Sequence, residues 1–167
     1  MKSSRCAVYP GSFDPVTNGH LDIVRRGAKI FGEVVIGVLR NSSKAPLFDA
    51  EERRKMFERS VADAGLTSVR VVSFEGLLVD FVQREQADVV IRGLRAISDF
   101  EYELQLAHMN RRLLPQLETV FITPGEDVGF ISSRLVREIA RFGGDVSGLV
   151  PPAAAVGLAK RFSSGAR

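Results

Sequence analysis

One cysteine, Cys6, is all the thiol that a chain of 167 residues contains. A single cysteine excludes an intrachain disulfide and any CxxC metal or redox site, and it suits a reducing compartment. Set among strand-like apolar neighbours, Cys6 reads as a buried thiol rather than a nucleophile. Long hydrophobic runs are missing as well. The first apolar stretch, Cys6–Tyr9, is cut off by Pro10 and Gly11. It is too short for a signal-peptide core and far too short to span a bilayer, so a soluble cytoplasmic protein without a membrane partner is expected. Histidine is scarce: His20 and His108 are the two present. His108 lies mid-helix with no second ligand at metal spacing, and no protein-built metal site is expected. The excess of one charge is small, a formal +3 spread along the chain. That suits a polyphosphate ligand as well as it suits nucleic acid. No RRM, KH or helix-turn-helix signature accompanies it, and no nucleic-acid partner is expected. Solenoid repeats and low-complexity tracts are absent too.

What is present is an ordinary globular composition, 45% apolar and 26% charged. The length suits one domain, 1–167, with a substantial core. Short runs rich in β-branched residues read as strands: Cys6–Tyr9, Val34–Leu39, Val69–Val72, Val89–Ile91 and Val120–Ile122. Several show little alternation, as expected where helices cover both faces of a parallel sheet. Between them lie helical patterns. Leu21, Val24, Ala28 and Phe31 share one helix face, and Tyr102, Leu106, Met109 and Leu113 share another. Phe100, Leu104 and Ala107 lie off that second stripe, so this helix has two apolar faces to bury, one of them often against another subunit. Asp49 with Glu52, and Ser98 with Glu101, have capping-box spacing. Arg53-Arg54-Lys55 reads as a solvated helix face. A last helix, about 151–162, follows Pro151 and Pro152, and the small polar tail 163–167 is expected to fray. Strand and helix alternate throughout, which predicts a Rossmann-like doubly wound α/β fold with five parallel strands and flanking helices.

In such a sheet, ligands bind beyond the carboxyl ends of the strands, so the loops after each strand carry the interest. The first runs Pro10–Gly19 and lacks both GxxxxGK[ST] and GxGxxG, the two commoner phosphate loops. Instead it has glycines that admit close backbone approach and a Gly19-His20 pair opening a helix, whose unpaired N–H groups attract an anion. A second polar loop carries Lys44, which alone reads as a surface lysine. Arg92 and Arg95 flank Gly93 after the fourth strand, on the ligand-binding edge. Ser132 or Ser133 is a natural N-cap, and that explains one of the two serines.

Thr17-Asn18-Gly19-His20 resembles the [HT]xGH motif of the nucleotidylyltransferase superfamily, and Ile131-Ser132-Ser133-Arg134-Leu135-Val136-Arg137 resembles its ISSxxVR signature. The stretches Tyr9–Asp22 and Ile91–Arg111 are similar to phosphopantetheine adenylyltransferases in particular. The likeness runs in register from about Ala7 to Pro151, with one departure: Arg134 stands where many relatives have a third serine. The resemblance implies transfer of the adenylyl group of ATP to 4'-phosphopantetheine, giving dephospho-coenzyme A and pyrophosphate, by in-line attack without a covalent enzyme intermediate.

By this resemblance, His20 would stabilise the transition state at the α-phosphate. Its protonation is not readable from sequence, since a helix dipole lowers its pKa and phosphates raise it. Ser12, the backbone at Phe13, Gly93, Leu94, Arg95 and Glu103 would belong to the ATP site. So would Val128, Gly129, Phe130, Ile131, Ser132, Ser133 and Arg134, with the helix start at Ser132 holding the β- and γ-phosphates. Ser12, Lys44 and Arg92 would meet the acceptor's phosphate, and Leu78 its pantetheine arm, although Leu78 alone reads equally as helix core. Mg²⁺ would arrive with ATP, without protein ligands of its own. Coenzyme A would be a feedback ligand, and the assembly a homohexamer. A related acceptor such as nicotinate mononucleotide, and a non-catalytic nucleotide- or nucleic-acid-binding module, are the alternative readings.

Overall fold

The computed structural model describes residues 5–40 and 45–163, without the side chains of 97 and 98. Along the chain run β1 (Arg5–Gly11), α1 (Asn18–Phe31), β2 (Gly32–Leu39), α2 (Ala50–Asp63), β3 (Val69–Phe74) and α3 (Leu78–Arg84). Then follow β4 (Val89–Gly93), α4 (Ile97–Leu113), β5 (Glu118–Ile122), α5 (Ser133–Arg141) and α6 (Pro152–Ser163). The five strands form one sheet, in the order β3-β2-β1-β4-β5, and every neighbouring pair is parallel. This is the Rossmann-like architecture that the alternation predicts, and each predicted strand lies inside an observed one. Ser163 closes α6 rather than opening a tail, and 164–167 lie outside the described residues. Among the described residues no helix is long and apolar enough to cross a membrane.

Alternate strand residues feed two buried layers. Ala7 and Tyr9, Val34, Ile36 and Val38, and Val89 and Ile91 point to one side, where they pack with Leu21 and Val24 of α1, Phe57 of α2, Val136 of α5 and Leu158 of α6. Val8, Val35 and Val90, from the positions between, pack on the other side with Val79, Phe81 and Val82 of α3. Burying each such side chain contributes about 1.5–3 kcal/mol, so covering both faces of the sheet is the main source of stability. On the first side α1 approaches β4 closely at Gly27, where a Cβ would come within 2.7 Å of Ile91 Cδ1.

Coverage of the second side is thinner, and here expectation and structure part. None of the described side chains of α4 is buried. Phe100 makes an edge contact with Phe121 of β5, whereas Tyr102, Met109 and Leu113 are 62%, 59% and 52% exposed. Of the stripe expected to face the core, Met109 and Leu113 point outward, whereas Tyr102 and Leu106 border a space between α4 and the sheet together with Glu103, Ala107 and Asn110. The periodicity is real, but it marks a face that the described residues cover only in part. The helix also starts one residue before the expected Ser98–Glu101 box, with Ala96 as an N-cap that makes no side-chain bond. The Asp49–Glu52 box does form at the start of α2, with reciprocal bonds of 2.8 Å.

The order of strands reverses between β1 and β4, because the chain winds outward from β1 to β3 and then returns to add β4 and β5 on the opposite side. The crevice beyond the ends of these two strands, at Gly11 and Gly93, is where a doubly wound sheet accommodates a ligand.

Candidate active site

The loop leaving β1 ends in an N-cap, Thr17, whose side chain accepts from the backbone N–H of His20 at 3.3 Å. His20 returns the bond: its Nδ1 accepts from the backbone N–H of Thr17 at 3.0 Å and lies 3.2 Å from the Thr17 hydroxyl. This is a capping box in which histidine takes the place of the usual Glu or Gln. An Nδ1 that accepts cannot carry the ring proton, so the neutral imidazole is held as the Nε2–H tautomer, with Nε2–H as its remaining donor. Burial, and then the positive charge of Arg95, push the pKa of His20 down to about 3. Its ring rests edge-on against Phe13, centroids 5.0 Å apart, and Phe13 in turn packs on Phe57 at 4.8 Å and Tyr9 at 5.2 Å. Gly19 keeps the helix start close to the loop after β5, since a Cβ there would stand 3.1 Å from the Val128 carbonyl.

Phe13 has a φ of 49°, a left-handed conformation costing a non-glycine residue about 1–3 kcal/mol. Buried polar contacts hold it from both sides. The carboxylate of Asp14, itself buried, accepts from the backbone N–H groups of Leu47 and Phe48 at 2.8 and 3.0 Å. Arg137 of α5 donates to the Asp14 carbonyl and lies 3.4 Å from its carboxylate. Arg53 of α2 is only 3% exposed and donates to the carbonyls of Ser12 (2.5 Å), Leu39 (3.0 Å) and Phe48 (3.0 Å). The expectation that Arg53 belongs to a solvated face is thus corrected. Arg54 and Lys55 do face solvent and pair with glutamates of their own helix. The sequence shows a run of cations but not that three backbone segments converge beneath one of them.

The opposite wall comes from the end of β5 and from α5. Asp22 accepts from the backbone N–H of Gly125 at 2.9 Å, tying that loop to α1. Ser132 is the N-cap of α5, accepting from Leu135 N–H at 3.1 Å, while the hydroxyl of Ser133 donates to the Pro15 carbonyl at 2.7 Å. Both serines thus have a local structural partner, and the second joins α5 to the first loop. The N-termini of α1 and α5 therefore open onto the same space. At α1 the Asn18 N–H is taken by the Leu149 carbonyl and the His20 N–H by Thr17, which leaves the Gly19 N–H. At α5 the N–H groups of Ser133 and Arg134 precede the capped Leu135, and such helix starts suit an anion.

That space is a cavity of about 450 Å³. Of the residues expected there, Ser12, Phe13, His20, Gly93, Arg95, Glu103, Val128, Ile131, Ser132, Ser133 and Arg134 line it. Leu94, Gly129 and Phe130 are not on its wall; Leu94 bonds through its backbone to Ile122, and Phe130 is 65% exposed. Tyr9, Ile23 and Pro124 line it without having been expected there, as do Thr17 and Arg137, which belong to the two motifs but to which the resemblance assigns no contact. A second cavity, of about 410 Å³, lies between the sheet and α4. Its wall includes Leu39, Phe74, Leu78, Leu106, Ala107, Asn110 and Thr119. Leu78 both lines this cavity and packs against the α3-side core, so its two readings coincide. Lys44 lies outside the described residues.

The two cavities share Pro10, Gly11, Ser12, Arg92 and Glu103. Arg92 and Glu103 form a two-pronged ion pair, Nε and Nη2 each donating at 2.6 Å, and Arg92 Nη1 donates to the Pro10 carbonyl at 3.1 Å. Hydrogen bonding to Glu103 raises the Arg92 pKa in spite of its burial. Of the two carboxylates on the first cavity's wall, Asp14 is held by two amides and Arg137, and Glu103 by Arg92. The lining is thereby left with a positive balance.

A family model described as cytidylyltransferase-like matches residues 8–139. The chain belongs to the cytidylyltransferase-like family. The solved structures it resembles include a protein from Vibrio parahaemolyticus assigned as a nicotinate-nucleotide adenylyltransferase, at TM-score 0.71 and 15% identity over 97% of this chain and 93% of the other. The nicotinic acid mononucleotide adenylyltransferase of Plasmodium falciparum, complexed with APC, is similar at TM-score 0.71 and 16% identity, covering 95% and 96%. A lipopolysaccharide core biosynthesis protein from Thermoplasma volcanium aligns at TM-score 0.54 and 22% identity, over 73% of this chain and 98% of its own. Such identities speak for a common fold.

Elsewhere in this cytidylyltransferase-like chain, Cys6 is half-buried rather than buried as expected; desolvation still raises its pKa, and the thiol faces the Glu85 carbonyl at 4.0 Å. No group of three or more potential metal-ligating side chains occurs among the described residues. The tautomer of His20 leads to a test. Because its native pKa lies below the ordinary value of 6.5, the unfolded chain takes up a proton that the native state refuses. Stability is then fully present above that value and falls as pH drops toward about 3. In an NMR titration, the His20 signal, assigned by its loss in His20→Asn, should stay at its neutral position from about pH 8 to about pH 5. A midpoint near the ordinary value would contradict the assignment.

Proposed function

We propose that this chain is an adenylyltransferase that moves the adenylyl group of ATP onto the phosphate of 4'-phosphopantetheine, forming dephospho-coenzyme A and pyrophosphate. The observation that carries the proposal is the meeting of two cavities at one wall built from the end of β1 and the Arg92–Glu103 pair. A nucleotide in the first cavity and an acceptor in the second would place phosphate against phosphate beside that wall. The aliphatic side chains of Leu39, Leu78, Leu106 and Ala107 suit the pantetheine arm, and Asn110 and Thr119 offer partners for its amides.

In this reading an acceptor phosphate oxygen bonds to the α-phosphorus as the bond to the bridging oxygen of pyrophosphate breaks, with no covalent attachment to the protein. Magnesium enters as part of the substrate, held by the triphosphate and water. His20 donates from Nε2–H to the α-phosphate, where charge grows in the transition state. The starts of α1 and α5, with Arg95 and Arg134, hold the remaining phosphates, and Ser12, Arg92 and Lys44 the acceptor's phosphate. Coenzyme A, which contains the same pantetheine arm and adenylate, would occupy both cavities as a feedback ligand. The exposed Met109 and Leu113 of α4 would be covered in a homohexamer, and the cytoplasm is the proposed setting.

Three outcomes follow. Pyrophosphate should be released from MgATP with 4'-phosphopantetheine and not with nicotinate mononucleotide, the acceptor class after which two similar structures are named. Equal or better turnover with the nicotinate acceptor would overturn the substrate assignment. His20→Ala should lower kcat by about 10²–10³ while calorimetric ATP affinity changes far less, since a single preorganised donor acts chiefly on the transition state. An affinity loss as large as the rate loss would make His20 a binding residue instead. Light scattering at micromolar concentration should give about six times the 18.3 kDa chain mass, with Met109→Glu reducing it; a wild-type monomer would refute the assembly.

A further inference from the structure

Arg53 is a buried cation remote in sequence from both motifs, yet it reaches the first loop. The residue is 3% exposed and lines neither cavity, and its guanidinium donates to three carbonyls, the shortest contact being 2.5 Å to Ser12. The Ser12–Phe13 peptide is trans, since among the described residues the cis bond is at Asp14-Pro15. In a trans peptide the carbonyl and the following N–H point in opposite directions. A Ser12 carbonyl drawn back toward Arg53 therefore turns the Phe13 N–H the other way, and Ser12 and Phe13 both line the first cavity. The left-handed φ of Phe13 agrees with a peptide held in a set orientation against its own preference.

We infer that Arg53 is a positioning residue that orients the Ser12–Phe13 peptide so that its N–H faces a phosphate group in the first cavity. The inference rests on the proposed nucleotide site and adds a residue to it that touches no substrate. Arg53 acts from behind the loop. Through the Leu39 and Phe48 carbonyls it also ties that orientation to the end of β2 and the start of α2, on either side of the segment that carries Lys44.

Calorimetric binding of ATP, inorganic pyrophosphate and adenosine to the wild type and to Arg53→Lys tests this. Lysine keeps the charge but cannot reach three carbonyls with one planar fork. The expected result is a loss of about tenfold or more in affinity for ATP and pyrophosphate, the scale of one hydrogen bond to a charged group, with adenosine binding unchanged. Equal losses for all three ligands would reduce Arg53 to a general structural role, and unchanged affinities would remove it from the site; either overturns the inference. Should the lysine variant not fold, the wild-type protein decides. Addition of pyrophosphate should move the Phe13 amide proton downfield in its NMR spectrum, and an unmoved amide overturns the inference. Wild-type protein that bound neither ATP nor pyrophosphate would overturn the functional proposal itself, and this inference with it.

Discussion

Thr17 and His20 exchange two hydrogen bonds across the first turn of α1, and the rest of the site is arranged around that exchange. The same bonds that cap the helix choose the histidine tautomer, so a local folding interaction sets a chemical property. Gly19, between the two partners, lets the loop after β5 close over the turn. Phe13 supports the imidazole from the other side and is itself fixed by Phe57, a side chain wholly buried on α2. An imidazole held in this way is a donor of fixed position. Stabilising a developing charge asks for such preorganisation.

Parallel topology supplies the remaining constraint. Because β1 and β4 are neighbours at the reversal of strand order, their ends form a common floor for two cavities rather than one. The Arg92–Glu103 pair stands on that floor and links β4 to α4, a helix none of whose described side chains is fully buried. Two charges so nearly enclosed are costly to desolvate, and their two-pronged geometry and the Pro10 carbonyl offset that cost. The walls are pinned by buried and half-buried polar contacts: Asp14 to Leu47 and Phe48, Arg53 to Ser12, Arg137 to Asp14, Ser133 to Pro15.

Much of this was legible in the residues. Val34–Leu39 and Val89–Ile91 announce interior parallel strands because they are apolar on both faces, and the loops that matter follow from the fold class alone. His20 was placeable on the first helical turn, but its box with Thr17 was not, since the usual pattern has Glu or Gln at that position. Arg53 was misread because a helical wheel gives the direction of a side chain, not the backbone carbonyls that other segments bring beneath it. The Tyr102–Leu113 stripe shows the reverse limit: periodicity reports an apolar face without saying what covers it. Leu94, Gly129 and Phe130, carried into the site by resemblance, lie off the cavity wall because neighbouring residues in a loop need not face the same way.

In the proposed reaction, nucleotide and acceptor react directly across the shared wall, with His20 steadying the phosphorus centre and no adenylylated protein between them. Positional isotope exchange tests this most directly, using MgATP labelled with ¹⁸O in the bridge between the α- and β-phosphorus atoms. An adenylyl-protein intermediate would free pyrophosphate to rotate and scramble the label in ATP alone, whereas direct transfer leaves the label in place until the acceptor is added. The account predicts no scrambling without 4'-phosphopantetheine. Scrambling in ATP alone, on protein free of bound acceptor, would contradict it.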